Sequence, residues 1–188
     1  MKLSNPPINR VNQKKANNQA LINADYSDYT FIEHLQTIYS AEKNWLEALP
    51  VLLLGANSAE LLQVINKLQR STKENLNRLE KIFEMLGLDS LDKDDADVNI
   101  LIEECYDIID ITHRDGFLRN AGLTVCIQQV EEYQMAIYQA LLKKARMVQK
   151  EEMINLLKII IHNKLRMEER LSLIDANYKT KETVFEHK

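Results

Sequence analysis

Glycine and proline are scarce in this chain, 4 and 3 of 188 residues. So few turn formers cannot reverse the chain between many short strands, which excludes an all-β architecture. Cysteine is nearly absent too. Cys105 and Cys126 are too few for a disulfide framework and lack zinc-ligand spacing, so both read as core thiols. No apolar run approaches the roughly 18 residues of a membrane span. The Asn-rich start, Met1 to Ala24, has no apolar signal-peptide core, and a cytoplasmic address follows. Glycine-rich phosphate loops are missing, as is any serine or cysteine in a recognisable nucleophile motif. A net charge of -4 gives no global pull toward nucleic acid or an anionic membrane.

What is present is 45% apolar and 28% charged residues in long alternation, enough for one all-α globular core. Residues 1–27 form an Asn-rich tail that carries Lys2, Arg10, Lys14 and Lys15 ahead of the first acid, Asp25; it buries too little to offset the entropy of ordering and reads as disordered. The bundle domain spans 28–174, and 175–188 read as a frayed polar end. A capping box, Thr30 with Glu33, opens helix A, which stops at Gly55. Ser58 caps helix B, which runs to Leu86 before Gly87. An acidic connection leads to a short helix C, about Asp97 to Ile111. Asp115 caps helix D, Gly116 to Arg146, and helix E runs from about Glu151 to Ile174. Four long helices with an extra short helix in the crossover between the second and third predict a ferritin-like four-helix bundle.

Writing each apolar stripe at alternating spacings of four and three exposes its interruptions. Helix A (Phe31, Leu35, Ile38, Glu42, Trp45, Leu49, Leu52) is broken by Glu42. Helix B (Leu61, Ile65, Leu68, Thr72, Asn75, Leu79, Ile82, Leu86) is broken by Thr72 and Asn75. Helix D (Ile127, Glu131, Gln134, Tyr138, Leu141) is broken by Glu131 and Gln134, and helix E (Ile154, Leu157, Ile161, Lys164, Glu168, Leu171) by Lys164 and Glu168. The interruptions fall near the midpoint of each helix, so one level of the bundle is a buried polar layer. Carboxylates buried there need a compensating charge. In four-helix bundles that charge is commonly a di-metal centre. A helix rotated from this register, its glutamate reaching water, is the plainer alternative.

The segments Tyr39-Ser40-Ala41-Glu42-Lys43, Ala48-Leu49-Pro50, Arg78-Leu79-Glu80 with Phe83, Leu101-Ile102-Glu103-Glu104, Arg114-Asp115 and Val130-Glu131-Glu132-Tyr133 resemble, in order and spacing, the ferritin-like YciE/YciF bacterial stress-protein family over about Thr30 to Leu173. The resemblance implies a bundle, usually dimeric, with a di-metal-type carboxylate site. Carried over by position, Glu42 and Glu131 are retained, and Glu168 keeps a later acidic position. Glu132 and Gln134 stand where the family motif has histidine and a second carboxylate. Leu68-Gln69-Arg70-Ser71-Thr72 stands where the family has His-Leu-Glu-Glu-Thr, and Asn163 and Lys164 replace an acidic cluster.

Three candidate metal carboxylates, Glu42, Glu131 and Glu168, without a histidine make a poor di-iron site. Lys164 on the axis is therefore read as the cation that has replaced the metal. The alternative is that its head reaches solvent. The expected protein is a cytoplasmic, non-catalytic, stress-associated or scaffolding homodimer that needs no cofactor. The rival from another class is an oxidase, peroxide scavenger or metal store holding iron, manganese or zinc, with Glu132, Gln134 or His162 filling gaps. A weaker alternative, DNA contact through the basic tail, rests on four charges without a stacking aromatic. Asp92, Asp94 and Glu103 fit places of a calcium loop, but Asp97 stands where its turn needs glycine.

Overall fold

A computed structural model describes residues 8–90, 95–112 and 115–186, with side chains over 29–180 outside those gaps. These residues form α1 (Ile8–Gly55), α2 (Ala59–Leu86), α3 (Ala96–Ile111), α4 (Gly116–Met147) and α5 (Glu151–Glu186). The chain divides into a first unit ending at Glu33 and a second, His34–Lys188, which holds the bundle.

The internal helix boundaries follow local chemistry. Ser58 accepts from the Leu61 N–H at 3.2 Å to open α2. Gly87 closes it at φ 66°, a conformation that favours glycine, and the Leu88 N–H donates to the Phe83 carbonyl at 3.0 Å. Asp95 caps α3 through the Val98 N–H, and Asp115 accepts from Phe117 and Leu118 at 2.9 and 3.0 Å to open α4.

The outer boundaries differ from expectation. The box at Thr30 does not begin a helix, because α1 is already running from Ile8. Asparagine is a weak helix former rather than a breaker, and residues 8–54 contain no glycine and a single proline, Pro50. The stretch read as a disordered tail is therefore helical from Ile8 onward; residues 1–7 lie outside the described residues. At the other end α5 does not stop at Ile174. Tyr178, one turn on, is buried, and its ring meets Phe117 of α4 edge-on at 5.3 Å, so the extra turn is anchored.

Within the second unit, α1 and α2 form one hairpin and α4 and α5 another, each joined by a three-residue connection, 56–58 and 148–150. α4 packs against α5 and α3, and α2 against α5. The crossover helix seats itself where side chains are missing. A Cβ on Gly55 would lie 2.6 Å from Ile109 Cδ1, and one on Gly122 would lie 2.9 Å from Ile108 Cγ2. These two glycines let α3 approach α1 and α4 closely. The core is Leu35, Ile38, Trp45 and Leu49 of α1, Leu61, Ile65 and Leu79 of α2, Ile127, Tyr138 and Leu141 of α4, and Leu157, Ile160 and Leu171 of α5. The fold is a ferritin-like all-α bundle.

Candidate functional site: a buried charged layer

The apolar stripes carry their polar interruptions inward. Glu42, Thr72, Asn75, Glu131, Gln134 and Lys164 are all buried, with no more than 4% of any of them exposed. Neither Lys164 nor Glu131 escapes to water by rotating its helix.

Lys164 sits between two carboxylates. Its Nζ lies 3.3 Å from Glu42 Oε1 and 3.1 Å from Glu131 Oε2, and it donates a further hydrogen bond to Gln134 Oε1. The remaining donors come from α1, α2 and α4. The Tyr138 hydroxyl donates to Glu42 Oε1 at 2.8 Å, and Asn75 Nδ2 to the same oxygen at 3.2 Å. Trp45 Nε1 donates to Glu131 Oε1 at 3.1 Å. Gln134 Nε2 donates to the Ala41 carbonyl at 3.3 Å, which fixes the amide so that its oxygen faces the ammonium. Arg78 Nη1 reaches Asn75 Oδ1 at 3.5 Å from the bundle surface.

The charges do not cancel. Two carboxylates face one ammonium, a formal -1 if all are ionised. Burial pushes the Glu42 carboxyl above its ordinary value, Lys164 pulls it down, and the nearby Glu131 raises it again; the net direction is up. Burial alone would lower the Lys164 ammonium, but the attraction of Glu131 and then Glu42 outweighs it, and the net direction is also up. Both shifts favour holding a proton in the layer. Tyr138 is pushed well up by burial and then by Glu42, so it stays a neutral donor. One atom is left over. Glu42 Oε2 is buried with no hydrogen-bond partner among the described residues.

Glu168 is not part of this layer. It is half-buried and lines an open groove with Leu165, Glu169 and Ser172 on the outside of α5. The reason is the phase of the stripe. After Leu157 the inward positions are Ile160, Lys164, Met167 and Leu171, so Met167 takes the seat expected for Glu168. Burying a thioether costs far less than burying a second uncompensated acid. Glu132 and His162 are exposed, Asp92, Asp94, His113 and His187 lie outside the described residues, and Glu103 is exposed.

Trp45 entered the sequence reading only as core packing. Its indole N–H is a ligand of Glu131, and the only signal that could have found this was its place one turn after Glu42 on the same stripe. A divalent ion needs several oxygen or nitrogen ligands around one point. Here two carboxylates converge, and an ammonium fills the space between them; no group of three or more His, Cys, Asp or Glu placed to hold a metal occurs among the described residues. This donor set does not fit a di-metal centre. Its direct effect is to fix the register of α1, α2, α4 and α5 through one shared set of hydrogen bonds.

Residues 27–183 match a family model described as a domain of unknown function, DUF892. The E. coli stress protein YciF superposes with a TM-score of 0.78 at 26% identity, covering 82% of this chain and 98% of that one. YcfI from Rhodopseudomonas palustris superposes with a TM-score of 0.74 at 22% identity, covering 78% and 92%, and shares the fold. No curated protein matches the sequence significantly. No helix among the described residues is long and apolar enough to cross a membrane.

Proposed function

The chain belongs to the DUF892 family, and from that premise we propose that it is a non-catalytic, stress-associated or scaffolding protein, a cytoplasmic homodimer in which a lysine stands where the family resemblance implies a metal. The observation that carries this reading is the position of Lys164 Nζ, 3.3 and 3.1 Å from two carboxylates on different helices. An ammonium there makes the charge-assisted hydrogen bonds that would otherwise need a cation. Leu165 and Leu173, exposed on α5, supply apolar surface suited to a second copy.

Refolding with iron, manganese or zinc, then mild chelation and elemental analysis, is expected to leave far less than one metal ion per chain. Near-stoichiometric retention overturns the reading. Conversely, Lys164→Glu replaces the competing cation with a third carboxylate and is expected to raise divalent-metal affinity roughly tenfold or more, about 1.4 kcal/mol. Equilibrium dialysis reads that gain.

The bare Glu42 Oε2 favours a second reading, in which the protein keeps a reduced metal site and acts as an oxidase, peroxide scavenger or metal store. Iron-dependent consumption of oxygen or peroxide separates the two. The first reading expects no consumption above that of free iron.

A further inference from the structure

α2 and α5 run antiparallel. Glu60, Gln63 and Val64 share a groove with Ile174 and Asn177, and positions further along α2 share the next groove with positions further back along α5. That second groove is strongly basic. Lys67 and Arg70 of α2 face Arg166 of α5 across it, with Ser71 and Asn163 as neutral hydrogen-bonding neighbours. Arg170, one turn along α5, lines the adjacent groove, near enough to Lys67 to act on its charge. Slight burial, and then Arg170, Arg166 and Arg70, push the Lys67 ammonium below its ordinary value.

None of these four cations has an ion pair or hydrogen bond among the described residues. The acid on the groove, Glu74, is held by Arg78 at 3.1 Å. Four like charges gathered within one helical turn repel one another, and an anion between them would reverse the sign of that interaction.

We propose that this groove binds a compact phosphoryl anion, a phosphate or diphosphate group, gripped by Arg70 and Arg166 from the two helices with Lys67 and Arg170 completing the charge. Planar guanidinium forks match phosphate oxygens in pairs, which lysine alone cannot do. The size follows from helix geometry. At ~1.5 Å rise per residue, Lys67 to Arg70 spans about 4.5 Å and Arg166 to Arg170 about 6 Å, the scale of one or two phosphoryl groups. Acids bracket the cluster on α2, Glu60 before it and Glu74 after it, and they oppose a long polyanion lying along the groove. A nucleic-acid duplex presents charge continuously and suits a longer basic stripe. The site is remote in function from the buried layer and does not depend on how that layer is read.

Titration calorimetry at low ionic strength with inorganic pyrophosphate, and in parallel with ADP, tests the site on the full chain. Saturable one-to-one binding is expected, weakened roughly tenfold or more in Arg70→Gln/Arg166→Gln and progressively by added salt. Lys158→Gln, an exposed α5 change outside the groove, should leave it unaltered. Equal affinity for both probes assigns a free phosphoryl anion, and tighter ADP assigns a nucleotide-type ester; either result supports the proposal. It is overturned if millimolar pyrophosphate does not bind, if the double variant, shown folded by its melting temperature, binds equally well, or if labelled duplex DNA occupies the groove and pyrophosphate fails to displace it.

Discussion

Lys164→Met is expected to lower stability at pH 7 by about 3 kcal/mol, which for a chain of this size is a fall of roughly 6–12 °C in melting temperature. Methionine keeps most of the stem's volume, so the loss reports the charge rather than a cavity. Without the ammonium, Glu42 and Glu131 face each other, buried and uncompensated. The Glu42 carboxyl, already raised by burial and by Glu131, then loses the ammonium that pulls it down. The penalty should therefore shrink as pH is lowered and this carboxyl takes up a proton. Urea unfolding of both proteins between pH 5 and 8 reads this directly. A methionine variant as stable as the parent at pH 8 would mean that the ammonium does not compensate these carboxylates. Adding Glu42→Gln to Lys164→Met should recover part of the loss, because neighbours sharing one network are not additive.

Glu42→Gln in the parent background carries the second large effect, in the opposite direction. The Glu42 carboxyl is raised in the folded chain, by burial first, so the folded state holds its proton over a pH range where the unfolded state has released it. The protonated form then stabilises the fold fully below the unfolded carboxyl's range, and this contribution is lost as pH rises through the folded value. At pH 8 the native chain bears a buried charge that one ammonium, shared with Glu131, does not fully compensate. Glutamine removes that charge and keeps an oxygen to accept from Tyr138 and Asn75. A gain of about 1–3 kcal/mol is expected at pH 8, falling to near zero around pH 4. Loss of stability at pH 8 would show that the full negative charge of Glu42 is needed to hold Lys164. The unpartnered Glu42 Oε2 is the atom at which the glutamine nitrogen costs least.

Much of this layer is legible in the chain. The stripes of helices A, B and D place Glu42, Thr72, Asn75, Glu131 and Gln134 inward, and all are buried. A stripe is a local property, set by the helical period alone. Helix E is harder because its spacing permits two phases: Ile160 or Ile161, then Met167 or Glu168. Local sequence barely distinguishes them, and the choice falls to what each side chain would meet. The uncompensated anion is turned outward, and the layer keeps two acids instead of three. Trp45 and Gln134 acquire their hydrogen-bonding roles the same way, since a donor's partner can lie 86 or 93 residues away.

By itself, the sequence determined the element order, the internal caps at Ser58, Gly87 and Asp115, and the presence of charge on the bundle axis, because each follows from residues within a turn or two of one another. Only the tertiary structure decided that α5 continues past Ile174 to seat Tyr178 on Phe117, and that Lys67 and Arg70 confront Arg166 across a groove. It also decided that one ammonium serves Glu42 and Glu131 together. Those outcomes depend on which surfaces of distant segments meet, and on the large cost of burying a charge that finds no partner there.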